Sequence, residues 1–371
     1  MTYFSDTPPA SNEPYASGSG GHRNVGRTIV GYALLVILAA LILVGAYLPA
    51  PYAIERPGPA FNVLGQNNQT PIITVSGAPT YATQGSLDLL TVELLGSPGH
   101  TPTWFDLAGA YFDKSQNILP IDEVFPPNQS SVNVNKQNAL MFKDSQQQAT
   151  AVALNALGYQ YKMQIYVDSL AANGPASNLL KKGDIIVKVA GKTVQSIDGL
   201  RALVQTAKGK PVEVQAVRAG KPFTVEITPF ADQGKWRVGI YAGSRFDFPI
   251  DVNLQLTDVG GPSGGTMFAL GIYDKMTPGS LTGGQLIAGT GTIDQSGAVG
   301  PIGGIRQKLY GAVRAGATWF LAPASNCDEV VGHIPDGIQV VSVKTFTDAL
   351  TAVKQIAAKK SIAGLPTCSA N

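Results

Sequence analysis

From Ile29 to Leu48 the chain reads IVGYALLVILAALILVGAYL, 20 mostly apolar residues inside a stretch with no charge between Arg27 and Glu55. As a helix this run is long enough to cross a hydrocarbon core of about 30 Å. It exceeds the apolar region of a cleaved signal peptide and follows a polar tail, so an uncleaved anchor is expected. The pattern then changes. Between Ala50 and Phe142, short strand-like runs (Ile72 to Val75, Leu87 to Leu95) alternate with Pro, Gly and Asn clusters. Lys143 to Leu157 has apolar residues at helical spacing, Asp144 or Ser145 as N-cap and Gly158 as a stop.

From Tyr159 to Pro229 the period is that of strands around one helix. Gln164 to Val167 and Ile185 to Val189 are strands, and Ala190-Gly191-Lys192 makes a hairpin turn. Ser196 caps a helix over Ile197 to Ala207. Val212 to Val217 and Phe223 to Ile227 form a hairpin joined at Ala219 and Gly220. Gly191-Lys192-Thr193 looks like the end of a phosphate loop, but Ile186 stands where such a loop needs its first glycine, so the turn reading holds. The segment NGPASNLLKKGDIIVKVAGKTVQSIDGL resembles the PDZ domains of bacterial envelope proteases over about 70 residues. That resemblance implies an extended peptide added as a strand, with a carboxylate-binding loop expected by position near Gly158 to Met163, where the usual glycine signature is missing.

Further on, Val252 to Leu256 reads as a strand, and Asp258 to Gly265 (DVGGPSGG) as a glycine-rich turn into a helix from Gly264 to Lys275. Gly289 to Lys308 (GTGTIDQSGAVGPIGGIRQK) reads as two strands about a turn at Gln295 to Gly297, then a helix from Ile305 to Ala315.

Composition narrows the function classes. Lys plus Arg (27) nearly balances Asp plus Glu (25) and charged residues make up 14%, so no basic stripe serves a nucleic acid. Arg23 and Arg27 precede the apolar run while Arg56 beyond it is balanced by Glu55, which puts the N-terminus in the cytoplasm. The first 27 residues, rich in Ser, Gly, Asn and Pro, read as a disordered tail. Cys327 and Cys368 suit either a bridge that pins the C-terminal tail or two free thiols, and no spacing resembles a metal site. The histidines are His22, His100 and His333, with no pair at zinc-binding spacing. No phosphate-loop motif is present, so neither ATP, a metal nor another cofactor is implied.

The candidate chemistry lies in the last third. Ser263 opens a helix after a glycine-rich turn, where exposed backbone N–H groups would stabilise an oxyanion, with Gly261, Pro262 and Gly264 as the oxyanion-loop residues; an ordinary helix cap is the other reading of this serine. Lys308 falls in the first turn of a helix, where the macrodipole and apolar neighbours both lower an amine's pKa, and a neutral amine can act as base for a serine hydroxyl. GGPSGG, GTGTI and PIGGIRQK together resemble the proteolytic domain of the Lon family. The resemblance implies Ser263 as nucleophile, Lys308 as base and Thr290 as the hydroxyl that orients the lysine, with spacings of 45 and 18 residues. Asp258 either orients the loop, contacts substrate or is a turn-forming residue. This chain departs from the family pattern at Gly264 (usually Ala), Thr292 (often acidic) and Arg306 (often Lys).

The expected fold class is therefore α+β: an N-terminal transmembrane helix, then a PDZ-type β-rich domain inserted before a Lon-type α/β proteolytic domain. The expected divisions are a tail at 1–27, an anchor at 28–49, a region at 50–158 that contributes to the protease fold, the PDZ domain at 159–230, the proteolytic domain at 231–357 and a tail at 358–371. The expected activity is that of an ATP-independent serine endopeptidase in the cell membrane, acting outside the cytoplasm on unfolded or extended protein substrates. Lon-like domains imply a homo-oligomer, a hexameric ring in the family. The other class the motifs admit is a membrane-tethered PDZ adaptor whose Lon-like domain is idle.

Overall fold

The computed structural model describes residues 25–125, 131–232, 234–256, 259–358 and 364–369. The N-terminal tail up to residue 24 and Asp258 lie outside the described residues. Helix α1 (Val25–Tyr47) carries the apolar run on all sides, with a mean hydropathy of 2.8 over its most apolar window and no part of it buried by the rest of the chain. A helix of this length and apolar character is able to span a hydrocarbon core.

After it come β1 (Tyr52–Asn62), β2 (Ile73–Ser76), β3 (Ser86–Leu95), α2 (Trp104–Phe112), β4 (Asn117–Pro120) and α3 (Ser131–Ala156). The PDZ module contains β5 (Lys162–Leu170), β6 (Ile185–Val189), α4 (Ile197–Thr206), β7 (Val212–Arg218), β8 (Lys221–Ile227) and β9 (Ile240–Asp247). The chain continues as β10 (Asp251–Leu254), α5 (Gly265–Lys275), β11 (Leu286–Gly289), β12 (Thr292–Ile293), β13 (Val299–Gly300), α6 (Ile305–Arg314), β14 (Trp319–Pro323), β15 (Gln339–Val343) and α7 (Phe346–Ala357).

The central sheet has the order β15-β14-β11-β3-β1-β4. Its first four strands are parallel, and β1 runs antiparallel to both neighbours. Strands from before the PDZ module (β1, β3, β4) and after it (β11, β14, β15) thus share one sheet, joined where Ser86 to Leu89 pair with Leu286 to Gly289. Side chains alternate across this sheet. Leu87, Leu89, Ile287, Leu321 and Val341 face a core built with α3, α5 and α7, while Leu90, Ala288, Phe320 and Val340 face a second core with Ile305, Leu309 and Ala312 of α6. Cys327 and Cys368 are disulfide-bonded, and Ser342 N–H donates to the Pro366 carbonyl at 2.8 Å, so the tail covers the outer edge of β15.

Two elements differ from the sequence reading. The helix expected from Lys143 begins at Ser131 instead, so Asp144 and Ser145 are mid-helix residues and not caps. Buried Ser145 turns its hydroxyl to the Pro262 carbonyl (2.9 Å), and Phe142 stacks edge-on against Phe268 (5.8 Å). The PDZ sheet, order β8-β7-β6-β5-β9, runs past the expected boundary at 230: β9 pairs with β5 from Ile240↔Leu170 to Asp247↔Lys162. Buried Asp184 anchors this module through a two-bond ion pair with Arg218 (2.8 and 2.7 Å) and the Lys181 N–H (2.7 Å). Burial pushes the Asp184 carboxyl up, but these partners outweigh it and hold the group below its usual range.

Candidate active site

Three backbone segments meet at the carboxyl end of β11. After Gly289 the chain leaves the sheet through Thr290 and Gly291, with α5 packed on one face and α6 on the other. Gly291 N–H donates to the Ser263 carbonyl (2.8 Å), and so does the Thr290 hydroxyl (3.1 Å). The peptide that carries Ser263 is therefore held from two directions. Ser263 itself is not a cap: Gly264 occupies that position and no side chain caps α5. The hydroxyl lies instead on a cleft of about 620 Å³, lined by Glu55, Leu89, Val259, Thr292, Ile302 and Lys308 among others.

Lys308 reaches this cleft from α6. Its Nζ lies 2.8 Å from Ser263 Oγ and 3.0 Å from Thr290 Oγ1. The lysine is 1% exposed and Thr290 fully buried. Burial pushes the amine down from its usual 10.5 to about 7, against an upward pull from the Glu55 carboxylate. The hydroxyl of Thr290 has one proton, and it goes to the Ser263 carbonyl; Thr290 must then accept an N–H from Lys308. That leaves the lone pair of a neutral amine free to point at Ser263 Oγ, the arrangement a general base needs.

The start of α6 depends on Gly304, whose φ of +69° is left-handed. A methyl group there would lie 2.6 Å from both Glu55 Oε1 and Val92 Cγ1. Gly304→Ala is expected to shift the helix start and lower kcat/KM by about 100-fold, the usual effect of an ångström-scale misplacement, with the left-handed backbone adding about 1–2 kcal/mol of destabilisation. Steady-state kinetics and a melting curve measure the two effects.

Of the expected oxyanion-loop residues, Pro262 has no N–H and the Gly261 N–H is engaged by the Asn138 carbonyl (2.9 Å), so both shape the turn and neither can hold an oxyanion as the loop stands. Among the described residues, the N–H groups of Ser263 and Gly264 donate to no acceptor, which makes them the available pair. Gly264 has a packing reason to lack a side chain, since a methyl there would run into Leu89. Thr292 lines the cleft, while Arg306 is exposed on the far side of α6 with His333. Neither His100 nor His333 lines the cleft.

Glu55 was not singled out from the sequence. Beside Arg56 it looks like a solvated flank of the apolar N-terminal helix, yet β1 buries it against Gly304, where it faces Lys308. Burial raises its pKa, the Asn117 side chain and the Lys308 charge pull it back, and Glu329 adds to the rise.

A second feature concerns the PDZ module. Both edges of β5, the strand that follows the expected carboxylate-binding loop at Gly158 to Met163, are taken, by β6 and β9, so a peptide strand has no open edge there. On that side the sheet ends at β9, and a groove of about 410 Å³ separates this edge from α4, with Ile197, Leu200 and Val204 opposite Gly239, Ile240 and Tyr241. The signal available in sequence was Val238-Gly239-Ile240 ahead of an alternating run, eighty residues beyond Gly158.

Known families match two segments. Residues 245–357 match the Lon protease (S16) C-terminal proteolytic domain, and residues 132–228 match the PDZ domain, a match that does not extend to β9. The chain is 35% identical over 128 residues to Lon protease 2 of Herpetosiphon aurantiacus, covering 33% of this chain and 15% of that protein. It is 32% identical over 108 residues to Lon protease 2 of Bacillus subtilis, covering 29% of this chain and 19% of the relative. The chain thus spans under a fifth of the length of these relatives. Among solved structures, the PDZ domain of the SdrC-like protein from Listeria monocytogenes is similar at 25% identity, covering 21% of this chain and 85% of that one, with a TM-score of 0.20. The class so defined is a chain with an apolar N-terminal helix, a PDZ domain and a Lon-type proteolytic domain.

Proposed function

We propose that this protein is an ATP-independent serine endopeptidase, anchored in the cytoplasmic membrane by α1, that cleaves extended segments of proteins outside the cytoplasm. The observation that carries this reading is the contact of the buried Lys308 amine, its pKa pushed down to about 7, with Ser263 Oγ at 2.8 Å, in a domain matched to Lon proteases. In the proposed mechanism, Lys308 takes the Ser263 proton as Oγ attacks a peptide carbonyl. The N–H groups of Ser263 and Gly264 hold the oxyanion, and the resulting ammonium returns the proton to the leaving amine. Lys308 then deprotonates the water that releases the acyl group.

Recruitment is assigned to the open edge of β9, where main-chain hydrogen bonds can hold an extended peptide beside α4. Support comes from a second groove of about 900 Å³, between β9, α3 and the β12–β13 hairpin, which shares Pro262 and Thr292 with the catalytic cleft. The bridged cysteines favour a compartment outside the reducing cytoplasm, in agreement with the Arg23 and Arg27 flank. A ring-shaped homo-oligomer follows from the resemblance to Lon domains.

The test uses the full chain in nanodiscs with unfolded casein and no nucleotide. Cleavage by the wild type and none by Ser263→Ala is the expected result. Equal cleavage by both, or a requirement for ATP, contradicts the proposal, and no cleavage by either leaves the tethered adaptor as the reading.

A further inference from the structure

Helix α2 presents its apolar side outward. Trp104 is 46% exposed, Phe105 63%, Tyr111 78% and Phe112 84%, an unusual concentration for nine residues. At about 100° per residue, Trp104, Phe105, Ala108, Tyr111 and Phe112 fall within an arc of about 120°. Leu107 and Ala110 lie outside that arc and pack into a small core with Ala50 and Ile54. The helix is held firmly: Thr103 and Asp106 form a reciprocal capping box at its start. Its aromatic face is therefore a fixed surface of the folded chain.

What lies opposite that face follows from the anchor. The 19-residue stretch Ile29–Tyr47 rises about 28 Å as a helix, enough to cross the hydrocarbon core and leave Tyr47 and Leu48 at the headgroup boundary. Trp104 N–H donates to the Leu48 carbonyl at 3.3 Å, and Ala50 N–H to the Pro102 carbonyl at 2.8 Å. Helix α2 thus begins at the level where α1 leaves the bilayer. Leu94 and Leu95, at the end of β3, are also exposed nearby, next to the turn that Ser97 and His100 close. Tryptophan and tyrosine favour that boundary, where an apolar ring meets lipid and a polar tip meets water.

We infer that α2 is an interfacial membrane helix, whose Trp104, Phe105, Tyr111 and Phe112 enter the outer headgroup and upper acyl region beside the anchor and fix the catalytic domain against the lipid surface. This rests on the reading of α1 as a membrane anchor. The experiment separates the two: the full chain is reconstituted in phosphatidylcholine vesicles with and without lipid brominated near the top of the acyl chain. Retention in the vesicles through an alkaline carbonate wash reports the anchor. Trp104 emission, taken as the difference between the wild-type chain and Trp104→Phe, reports α2. Loss of most of that emission in brominated lipid, relieved in a Phe105→Ser, Phe112→Ser variant, is the expected result. If the chain is retained but Trp104 is unquenched, the inference is overturned and the face belongs to a second copy of the chain or to water. Quenching unchanged in the double variant also overturns it, because the tether alone then explains the proximity. Release by carbonate removes the anchor reading and this inference with it.

Discussion

Methionine at position 308 is expected to remove peptide hydrolysis by about 10⁴-fold or more while raising the melting temperature. The two effects have one origin. Lys308 is 1% exposed, and its depressed pKa measures the cost of keeping a cationic group away from water. Methionine fills similar space without that cost, so the folded state gains. The same substitution deletes the only amine within reach of Ser263 Oγ among the described residues, so the hydroxyl keeps its proton and is a weak nucleophile. Ser263→Ala is expected to lose as much activity, and the double variant no more than either, because nucleophile and base act as one unit. Progress curves on a fluorogenic peptide and a thermal melt measure both. A Lys308→Met protein that keeps activity within about tenfold of the wild type would falsify the dyad.

The three side chains proposed for the site were nameable from sequence because each sits in a glycine-marked motif whose local geometry is distinctive: a turn before a helix for Ser263, a strand exit for Thr290, a glycine-led helix start for Lys308. What surrounds them was not. The pairing of β3 with β11 joins residues 200 positions apart and rests on neither local pattern nor turn chemistry. The first half of α3 is rich in Ser, Asn, Lys and Gln, with little apolar period. It is a helix in the fold, where Asn138 accepts from Gly261 and Phe142 packs on Phe268. Glu55 followed the same rule in reverse. Its neighbours in sequence suggest solvent, and its burial comes from β3, β4 and α6, elements distant along the chain. The proposed peptide-accepting edge lies elsewhere than the sequence suggests for a topological reason: β9 enters the PDZ sheet last and takes the position beside β5 that the sequence left open.

Glu55 leads to the second large effect, on pH dependence. Only the neutral amine can take the serine proton, so kcat/KM should rise about tenfold per pH unit below pH 7 and level off above it, in line with a Lys308 pKa of about 7. The Glu55 carboxylate raises that value, since its negative charge favours the ammonium. Glu55→Gln therefore moves the limb to lower pH and increases the active fraction at pH 6. A limb that stays in place, or moves to higher pH, contradicts this positioning role even if kcat falls. Stability follows the same titration. In the unfolded chain Lys308 holds its proton up to about 10.5, and in the folded chain only to about 7. Between those values unfolding takes up a proton, so stability rises with pH across the window and is level above it. Below pH 7 both states are protonated, and the folded state carries the full penalty of a buried ammonium, eased by whatever fraction of Glu55 is ionised. Lys308→Met lacks this group, and its stability should lose that part of the slope between pH 7 and 10.5. Urea titrations of both proteins at several pH values across the window would show whether the amine beside Ser263 is the group responsible.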